Sequence, residues 1–177
     1  LAHTRRKNLL LRDLDELVNQ QLSKMLFANP QRIDYYDRYQ EIIDAYNAEQ
    51  NRATIEKTFM DLMELASSLD TEQQRYVREG FSSDEELSVY DLLFSENLTK
   101  QEIETIKKVS VDSLTKIKQQ IAKLDHWTDK QETKAIVDNL IRNTLWQELP
   151  NSYDVSDIQT YQKKIYEYVY MRYPEVA

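Results

Sequence analysis

Scarcity of glycine is the feature that most constrains the fold of this chain. One residue in 177, Gly80, is glycine, and three are proline (Pro30, Pro150 and Pro174). Both counts are far below ordinary usage, whereas the residues that favour helix, such as leucine, glutamate, lysine and glutamine, are abundant. We therefore predict an all-α fold, a single bundle of about seven to eight helices with no sheet.

Apolar residues recur at steps of three and four along most of the chain, which is the spacing of one helix face. Predicted helices run from about Thr4 to Ala28, Ile33 to Glu49, Lys100 to Leu124 and Val155 to Tyr173. The second of these is expected to bury Ile42, Ile43 and Tyr46. A central helix is expected after it, with a wide apolar stripe that comprises Ile55, Phe59, Leu62, Met63, Ala66 and Leu69.

Four start signals, each a hydroxyl residue followed three positions later by Gln or Glu, predict helix N-termini. They are Thr71-x-x-Gln74, Ser83-x-x-Glu86, Thr99-x-x-Glu102 and Thr128-x-x-Gln131. Such a pair can satisfy backbone amides at both ends of the motif. Gly80 follows Arg78-Glu79 and is assigned to a helix end, because a left-handed residue costs least without a Cβ atom.

Tyrosines crowd the last predicted helix in the segment YQKKIYEYVYMRYPE, residues 161–175. At about 100° per residue, one face holds Tyr161, Ile165, Tyr168, Val169 and Arg172, and a second stripe holds Tyr166, Tyr170 and Tyr173. The first face can be core. The second stripe needs a partner or partial exposure, which tyrosine tolerates because its ring is apolar and its hydroxyl forms hydrogen bonds. We expect Tyr166, Tyr170 and Tyr173 to form a subunit interface.

Residue types that carry catalysis or bind metals are sparse. There is no cysteine, the histidines are His3 and His126, and no zinc or calcium spacing is present, so we predict neither a metal site nor a catalytic residue. One glycine cannot build a phosphate-binding loop. Glu132-x-Lys134 resembles part of a nuclease motif, but it lies in a predicted helix where residues two apart do not face each other. His126, next to Trp127, is expected at a helix junction.

The formal net charge is −8, and the charged residues are unevenly distributed along the chain. Residues 41–104 hold 16 acidic against 5 basic residues, and the remainder holds 15 against 18. The acidic block is either a set of solvated helix faces or an acidic docking face. The basic residues favour contacts with DNA phosphates, or else are ordinary solvated lysines; the candidates are Lys100, Lys107, Lys118, Lys163, Lys164 and Arg172.

Five stretches resemble one protein family in order and spacing: YDRYQEIIDAYNAEQN, EQQRYVREGFSSDEELSVYDLL, LTKQEIETIKKVSVDSLTKI, WTDKQETKAIVDNLI and LPNSYDVSDIQTYQKKIYEYVY. They are similar to the C-terminal helical domain of the motor (R) subunit of type I restriction–modification enzymes, from about Tyr35 to Tyr173. Residues 1–30 are interpreted as a helix that leads in from absent motor domains, and 31–177 as the C-terminal assembly domain. The chain starts with Leu1, not Met, as expected of a piece of a longer protein.

The resemblance implies a parent subunit that is an ATP-dependent DNA translocase and site-specific deoxyribonuclease, with a Mg²⁺-dependent nuclease domain and two motor domains. The motifs of those domains do not occur here, so the ATP and Mg²⁺ requirements belong to the parent chain and no cofactor is expected in this part. The implied role is non-catalytic. It attaches the motor to the modification and specificity subunits, contacts other domains of its own subunit, and can contact double-stranded DNA.

Three alternatives remain at this stage. The chain could be a stand-alone helical DNA-binding module, a structural shield of the motor domains, or an α-helical enzyme with scattered carboxylates. The apolar runs are too short to cross a membrane and the lack of cysteine is compatible with an intracellular setting, so we expect a cytoplasmic protein without membrane contact.

Overall fold

The computed structural model of the chain describes residues 2–176, with side chains from 5 to 176. This part contains eight α-helices, one 3₁₀ turn (Pro30–Arg32) and no strand, which confirms the all-α prediction. The helices are α1 (Ala2–Ala28), α2 (Ile33–Ala48), α3 (Arg52–Gln73), α4 (Arg75–Arg78), α5 (Asp84–Leu93), α6 (Lys100–Ala122), α7 (Gln131–Glu148) and α8 (Val155–Arg172). None of them combines the length and the apolar content that crossing a bilayer requires.

The helices group into two compact units, whereas the sequence pattern predicted a single bundle. The first unit lies within residues 2–85 and the second within 86–176. Each unit buries its own apolar cluster, so each has a core of its own. The division into a leading helix (1–30) and an assembly domain (31–177) stays a prediction; α1 packs along α3 inside the first unit.

The first unit is built from α1, α2 and α3 around a core of leucine, valine and isoleucine side chains. The core residues on α3 are Ile55, Leu62, Leu65 and Leu69, which follow each other at helical spacing. The predicted stripe was therefore too wide: Phe59 is 37% exposed and Met63 is 51% exposed. On α2, Tyr39 is the buried residue, whereas the predicted Ile42, Ile43 and Tyr46 pack at the edge of the core. The Tyr39 hydroxyl donates to Asp15 Oδ1 at 2.6 Å.

A buried arginine ties three segments of the first unit together. Arg32, in the turn after α1, donates from both terminal nitrogens to Asp84 at 2.5 and 2.9 Å and from Nε to Glu72 Oε1 at 3.1 Å. A further bond reaches the Met25 carbonyl at 3.3 Å. Arg75 also donates to Glu72. Burial alone raises the pKa of Glu72, but the bonds from Arg75 and Arg32 outweigh it and lower that pKa.

Gly80 ends α4 as predicted. Its φ of +86° lies in the left-handed region. The Gly80 amide donates to the Val77 carbonyl at 3.1 Å, and the Phe81 amide donates to the Tyr76 carbonyl at 2.9 Å. This pair of bonds is the Schellman arrangement, in which a left-handed residue closes the helix.

The predicted start signals agree with the structure in part. Thr99 and Glu102 form the predicted reciprocal cap of α6, and α5 begins directly after Ser83. Thr71 was wrong as a start, because α3 continues to Gln73 and the Thr71 hydroxyl donates to the Ser67 carbonyl within that helix. Thr128 was also wrong, since α7 begins at Gln131.

The second unit is built around α6, α7 and α8, with α6 packed on α7 and α7 packed on α8. The buried side chains include Leu87, Leu93, Ile106, Leu114, Ile117, Ile121, Val137, Ile141, Leu145, Ile165 and Val169. An acidic cap that was not predicted starts α8: Asp154 and Asp157 each accept a hydrogen bond from the other's backbone amide, at 2.8 and 3.0 Å.

Replacing Arg32 by methionine should destabilise the first unit. The change leaves Glu72 and Asp84 without their shared cation in a largely dry site, which typically costs about 3–5 kcal/mol. Urea denaturation followed by circular dichroism measures the decrease in the free energy of unfolding. Arg12→Met is the matched control, because Arg12 forms an exposed pair with Glu16, and such a pair contributes about 0–1 kcal/mol. Equal losses in the two variants would contradict the role given to Arg32.

Candidate functional site

Trp127 organises the part of the second unit where the tyrosines gather. It lies between α6 and α7, its side chain is fully buried, and its indole N–H donates to the Tyr173 carbonyl at 2.7 Å. On the other side, the Thr133 hydroxyl donates to the Trp127 carbonyl at 2.7 Å. Trp127 therefore links the start of α7, through its backbone carbonyl, to the residue that follows α8, through its indole N–H.

Two tyrosines of the second stripe pack against this indole. The rings of Tyr166 and Tyr170 meet Trp127 nearly at right angles, at centroid distances of 6.0 and 5.7 Å. Edge-to-face contacts of this kind are favourable because the positive edge of one ring meets the negative face of another. The second stripe therefore has a partner within its own chain. Tyr166 is half-buried, and Tyr170 keeps 38% of its surface exposed.

Tyr173 and Arg172 are turned toward neighbouring rings. The Arg172 guanidinium lies 4.2 Å from the ring centre of Tyr168, and the Lys118 amine lies 4.8 Å from that of Tyr173. Cation–π contacts at these distances are attractive. Burial lowers the pKa of Arg172 from its ordinary value, although the guanidinium stays charged at neutral pH. Both cations, predicted as phosphate contacts, thus already contact tyrosine rings inside the second unit.

The other predicted phosphate contacts differ in accessibility. Lys100 is exposed in the first turn of α6, and Lys107 is half-buried with its amine 5.8 Å from the Tyr90 ring centre. Lys163 and Lys164 are exposed on α8. They share the outward side of that helix with an acid, a tyrosine and a methionine that is 64% exposed. We call this surface the α8 outer face; it comprises Lys163, Lys164, Glu167, Tyr170 and Met171.

Tyr153 is a supporting residue that sequence reasoning placed in a turn without a role. It is buried, and its hydroxyl donates to the Leu93 carbonyl at 2.5 Å. Burial raises its pKa well above the ordinary tyrosine value. Its ring also contacts Tyr161 of α8 at 5.7 Å. The turn before α8 is thereby fastened to the end of α5, which helps to position α8.

Ionisable groups do not converge on a metal site in the part of the chain that the structure describes: no three His, Asp or Glu side chains are placed to hold an ion there. His126 lies at the helix junction, as expected, with a φ of +47° and an exposed imidazole. Its nitrogens lie 3.4 Å from Asp125 and 3.8 Å from Glu175. The side chain of His3 lies outside the described residues.

Comparison with known families gives a match, over residues 1–173, to the family described as "Type I restriction enzyme HindI endonuclease subunit-like, C-terminal". The chain belongs to this family. The resemblance read from the five sequence stretches is thus confirmed, and it extends through the first helix as well. No curated protein and no solved structure matches the chain significantly.

Replacing Trp127 by phenylalanine should loosen the end of α8 in this family member. The variant keeps an aromatic ring but removes the N–H that donates to the part-buried Tyr173 carbonyl. A fully buried acceptor left unsatisfied costs about 1–3 kcal/mol, so a loss of up to that size is expected. Urea denaturation measures the change.

Trp146→Phe is the matched control for this variant. Trp146 is 52% exposed on α7. Replacement of such a surface residue typically shifts the free energy of unfolding by less than about 0.5 kcal/mol. Equal stability of the two variants would show that the indole bond of Trp127 is dispensable.

Proposed function

We propose that this chain is the non-catalytic assembly domain of the endonuclease (R) subunit of a type I restriction enzyme. It attaches the motor part of that subunit to the core of modification and specificity subunits. The observation that carries the proposal is the family match, which covers 1–173 and describes the C-terminal part of an endonuclease subunit. ATP and Mg²⁺ act in other domains of the subunit, and this domain supplies no catalytic residue.

The α8 outer face is the proposed contact with the core subunits. Aromatic residues and methionine are enriched at protein interfaces, and this face presents Tyr170 and Met171 to solvent. Tyr166 and Tyr173, which the sequence pattern also suggested as anchors, act mainly by fixing Trp127 and the end of α8. Tyr170 is therefore the principal aromatic anchor of the three, because it combines a rigid position against Trp127 with an accessible surface.

DNA contact is the second part of the proposal, and it rests on the exposed lysines. Lys163 and Lys164 lie on the same face as the proposed protein contact, and Lys100 is exposed at the start of α6. Lys107, Lys118 and Arg172 are half-buried against tyrosine rings and contribute charge near the surface, whereas Lys164, whose amine lies 5.9 Å from the Tyr161 ring centre, stays exposed. A DNA strand near α8 would contact the exposed lysines, Lys100, Lys163 and Lys164, directly. It would interact with the half-buried cations only at longer range.

Two rival functions make different predictions. A stand-alone DNA-binding module would bind duplex without the other subunits, with an affinity that falls steeply with salt. A structural shield of the motor domains would leave the modification–specificity core unbound. The assembly domain should bind that core in the absence of DNA.

The double variant Tyr170→Ser, Met171→Asp should abolish capture of the modification–specificity core in a pull-down. Both changes remove apolar area that the proposed interface would bury, and truncation of such anchors typically costs about 2 kcal/mol or more each. Circular dichroism checks that the helices persist. The matched control is Val155→Asp, an exposed apolar position at the first turn of the same helix. Undiminished capture by the double variant would refute the α8 assignment, and no capture by the unaltered chain would refute the assembly role.

The double variant Lys163→Gln, Lys164→Gln should weaken binding of the assembled enzyme to duplex DNA. Each lysine that neutralises a phosphate contributes about 0.9 to the slope of log K against log salt, so the slope should fall by that amount per lysine. Fluorescence anisotropy over a salt series measures it. Lys57→Gln is the control, since Lys57 pairs with Asp61 on α3. An unchanged slope in the double variant would exclude these lysines as phosphate contacts.

A further inference from the structure

Helices α1 and α3 of the first unit lie side by side and run in the same direction. Lys7 Nζ lies 2.9 Å from Glu56 Oε1, and Gln21 Nε2 donates to Asp70 Oδ1 at 2.9 Å. Both contacts join residues that are 49 positions apart. The equal offset means that the two helices keep one register between these contacts.

Apolar residues fill the stretch between the two polar contacts, at steps of three and four on both helices. These are the core positions of a heptad, which line up two or more helices. They are Leu10, Leu14 and Leu17 on α1, and Phe59, Met63 and Ala66 on α3. Leu14 and Ala66 are partly buried against the core and form the floor, whereas the other four are exposed. We call this surface the α1–α3 seam.

The seam is separate from the core of the first unit. The core stripe of α1 consists of Leu11, Val18, Leu22 and Met25, and that of α3 includes Leu62, Leu65 and Leu69. Each of the two helices therefore carries two apolar stripes. One stripe is covered within the unit, and the other is open to solvent in the described structure. A contiguous exposed apolar surface of this kind commonly marks an interaction site.

A cavity of about 380 Å³ lies at the end of the seam marked by the Lys7–Glu56 pair. It is lined by Lys7, Leu10, Ile55, Glu56, Phe59 and Met60. Its lining is mostly apolar and the charged pair at its edge is already mutually satisfied. The cavity can therefore accept one large apolar side chain without leaving a charge unpaired.

The size of the seam favours a single helix as its occupant. The seam together with the two polar contacts that bound it spans about fourteen residues of helix, or about 21 Å, and two adjacent helices are about 20 Å wide, so this surface covers at most on the order of 400 Å². A stable interface between two globular proteins needs about 800 Å² per partner. The seam is too small for a second copy of this chain but matches the apolar side of a helix of about four turns.

Charges along the α1 border of the seam add a polarity. Arg6 and Lys24, with Asp13 between them, border it on α1, whereas the bordering positions on α3, Met60 and Ser67, carry no charge. A helix with carboxylates toward α1 would complement the two cations of that border. An antiparallel direction is favoured for the partner helix, because its dipole then points opposite to the aligned dipoles of α1 and α3.

We propose that the α1–α3 seam binds one amphipathic helix of a partner protein, antiparallel to α1 and α3, with a large apolar side chain in the 380 Å³ cavity. The partner helix carries apolar residues at heptad spacing and carboxylates along the side that meets α1. This site is distinct from the α8 outer face, so either proposal can fail while the other stands.

A fluorescein-labelled helical peptide tests the proposal. A length of about 21 residues, which is about six turns, covers the seam with a turn to spare at each end. The peptide carries leucine at the heptad core positions, phenylalanine at the position that meets the cavity, glutamate on the flank that meets α1 and glutamine on the other. Anisotropy titration with the unaltered chain should show binding. Leu10→Asp and Met63→Asp should each weaken it at least tenfold, because each places a carboxylate in the apolar seam.

Leu9→Asp is the matched control. Leu9 is 58% exposed and Leu10 is 52% exposed on the same helix. Successive residues of a helix differ in direction by about 100°, so Leu9 points away from the seam. Its variant should bind the peptide within twofold of the unaltered chain. Equal binding by all variants, or no binding by the unaltered chain, would overturn the proposal.

Light scattering adds a third arm to the experiment. The unaltered chain and the Leu10→Asp variant should both be monomers if the seam receives a partner helix. A dimer that Leu10→Asp converts to monomer would overturn the proposal and assign the seam to a second copy of this chain.

Discussion

Packing of one apolar helix stripe on another is the interaction on which both units depend. The described residues contain no strand, and the sequence contains no cysteine that could supply a covalent link. A fully buried leucine contributes about 1.5–3 kcal/mol, whereas an exposed ion pair contributes at most about 1 kcal/mol. The surface pairs on α1 and α3 therefore add little. Arg32 is different, because its two carboxylate partners and the Met25 carbonyl compensate a charge that is 2% exposed.

Packing of this kind also explains why so many tyrosines gather in α8. A phenol can bury its ring and still reach a carbonyl or remain partly hydrated at its hydroxyl. Tyr168 lies in the core, Tyr166 and Tyr170 pack against Trp127, and Tyr161 contacts Tyr153. Most of the aromatic surface thus serves to hold α8 in place. What remains outside is a rigidly held face with two lysines, one glutamate, one tyrosine and one methionine, and rigidity lowers the entropic cost of binding a partner.

Sequence patterns predicted the all-α fold class, most helix ends and the core face of α8, because each of these depends on residues that are close together along the chain. Gly80 and the Thr99–Glu102 cap are examples in which local chemistry decides the result. The errors arose where tertiary contacts decide. Thr71 carries a start signal, but the buried stripe of α3 continues past it. The role of Trp127 depends on residues about 40 positions away, and the Arg32–Asp84 bond spans 52 positions. No local pattern contains such contacts.

The error on α3 bears on the α1–α3 seam. The predicted stripe of that helix combined Leu62 and Leu69, which are buried, with Phe59 and Met63, which are exposed. At about 3.6 residues per turn these are two neighbouring stripes on a helix that is apolar over more of its circumference than one core contact requires. Helix α1 has the same property, with Leu11 and Val18 in the core and Leu10 and Leu17 outside it. An apolar surface wider than the core of its own unit is costly in water. Helices α1 and α3 both expose such a surface and keep one register. They are therefore better suited to bind a further helix than to remain solvated.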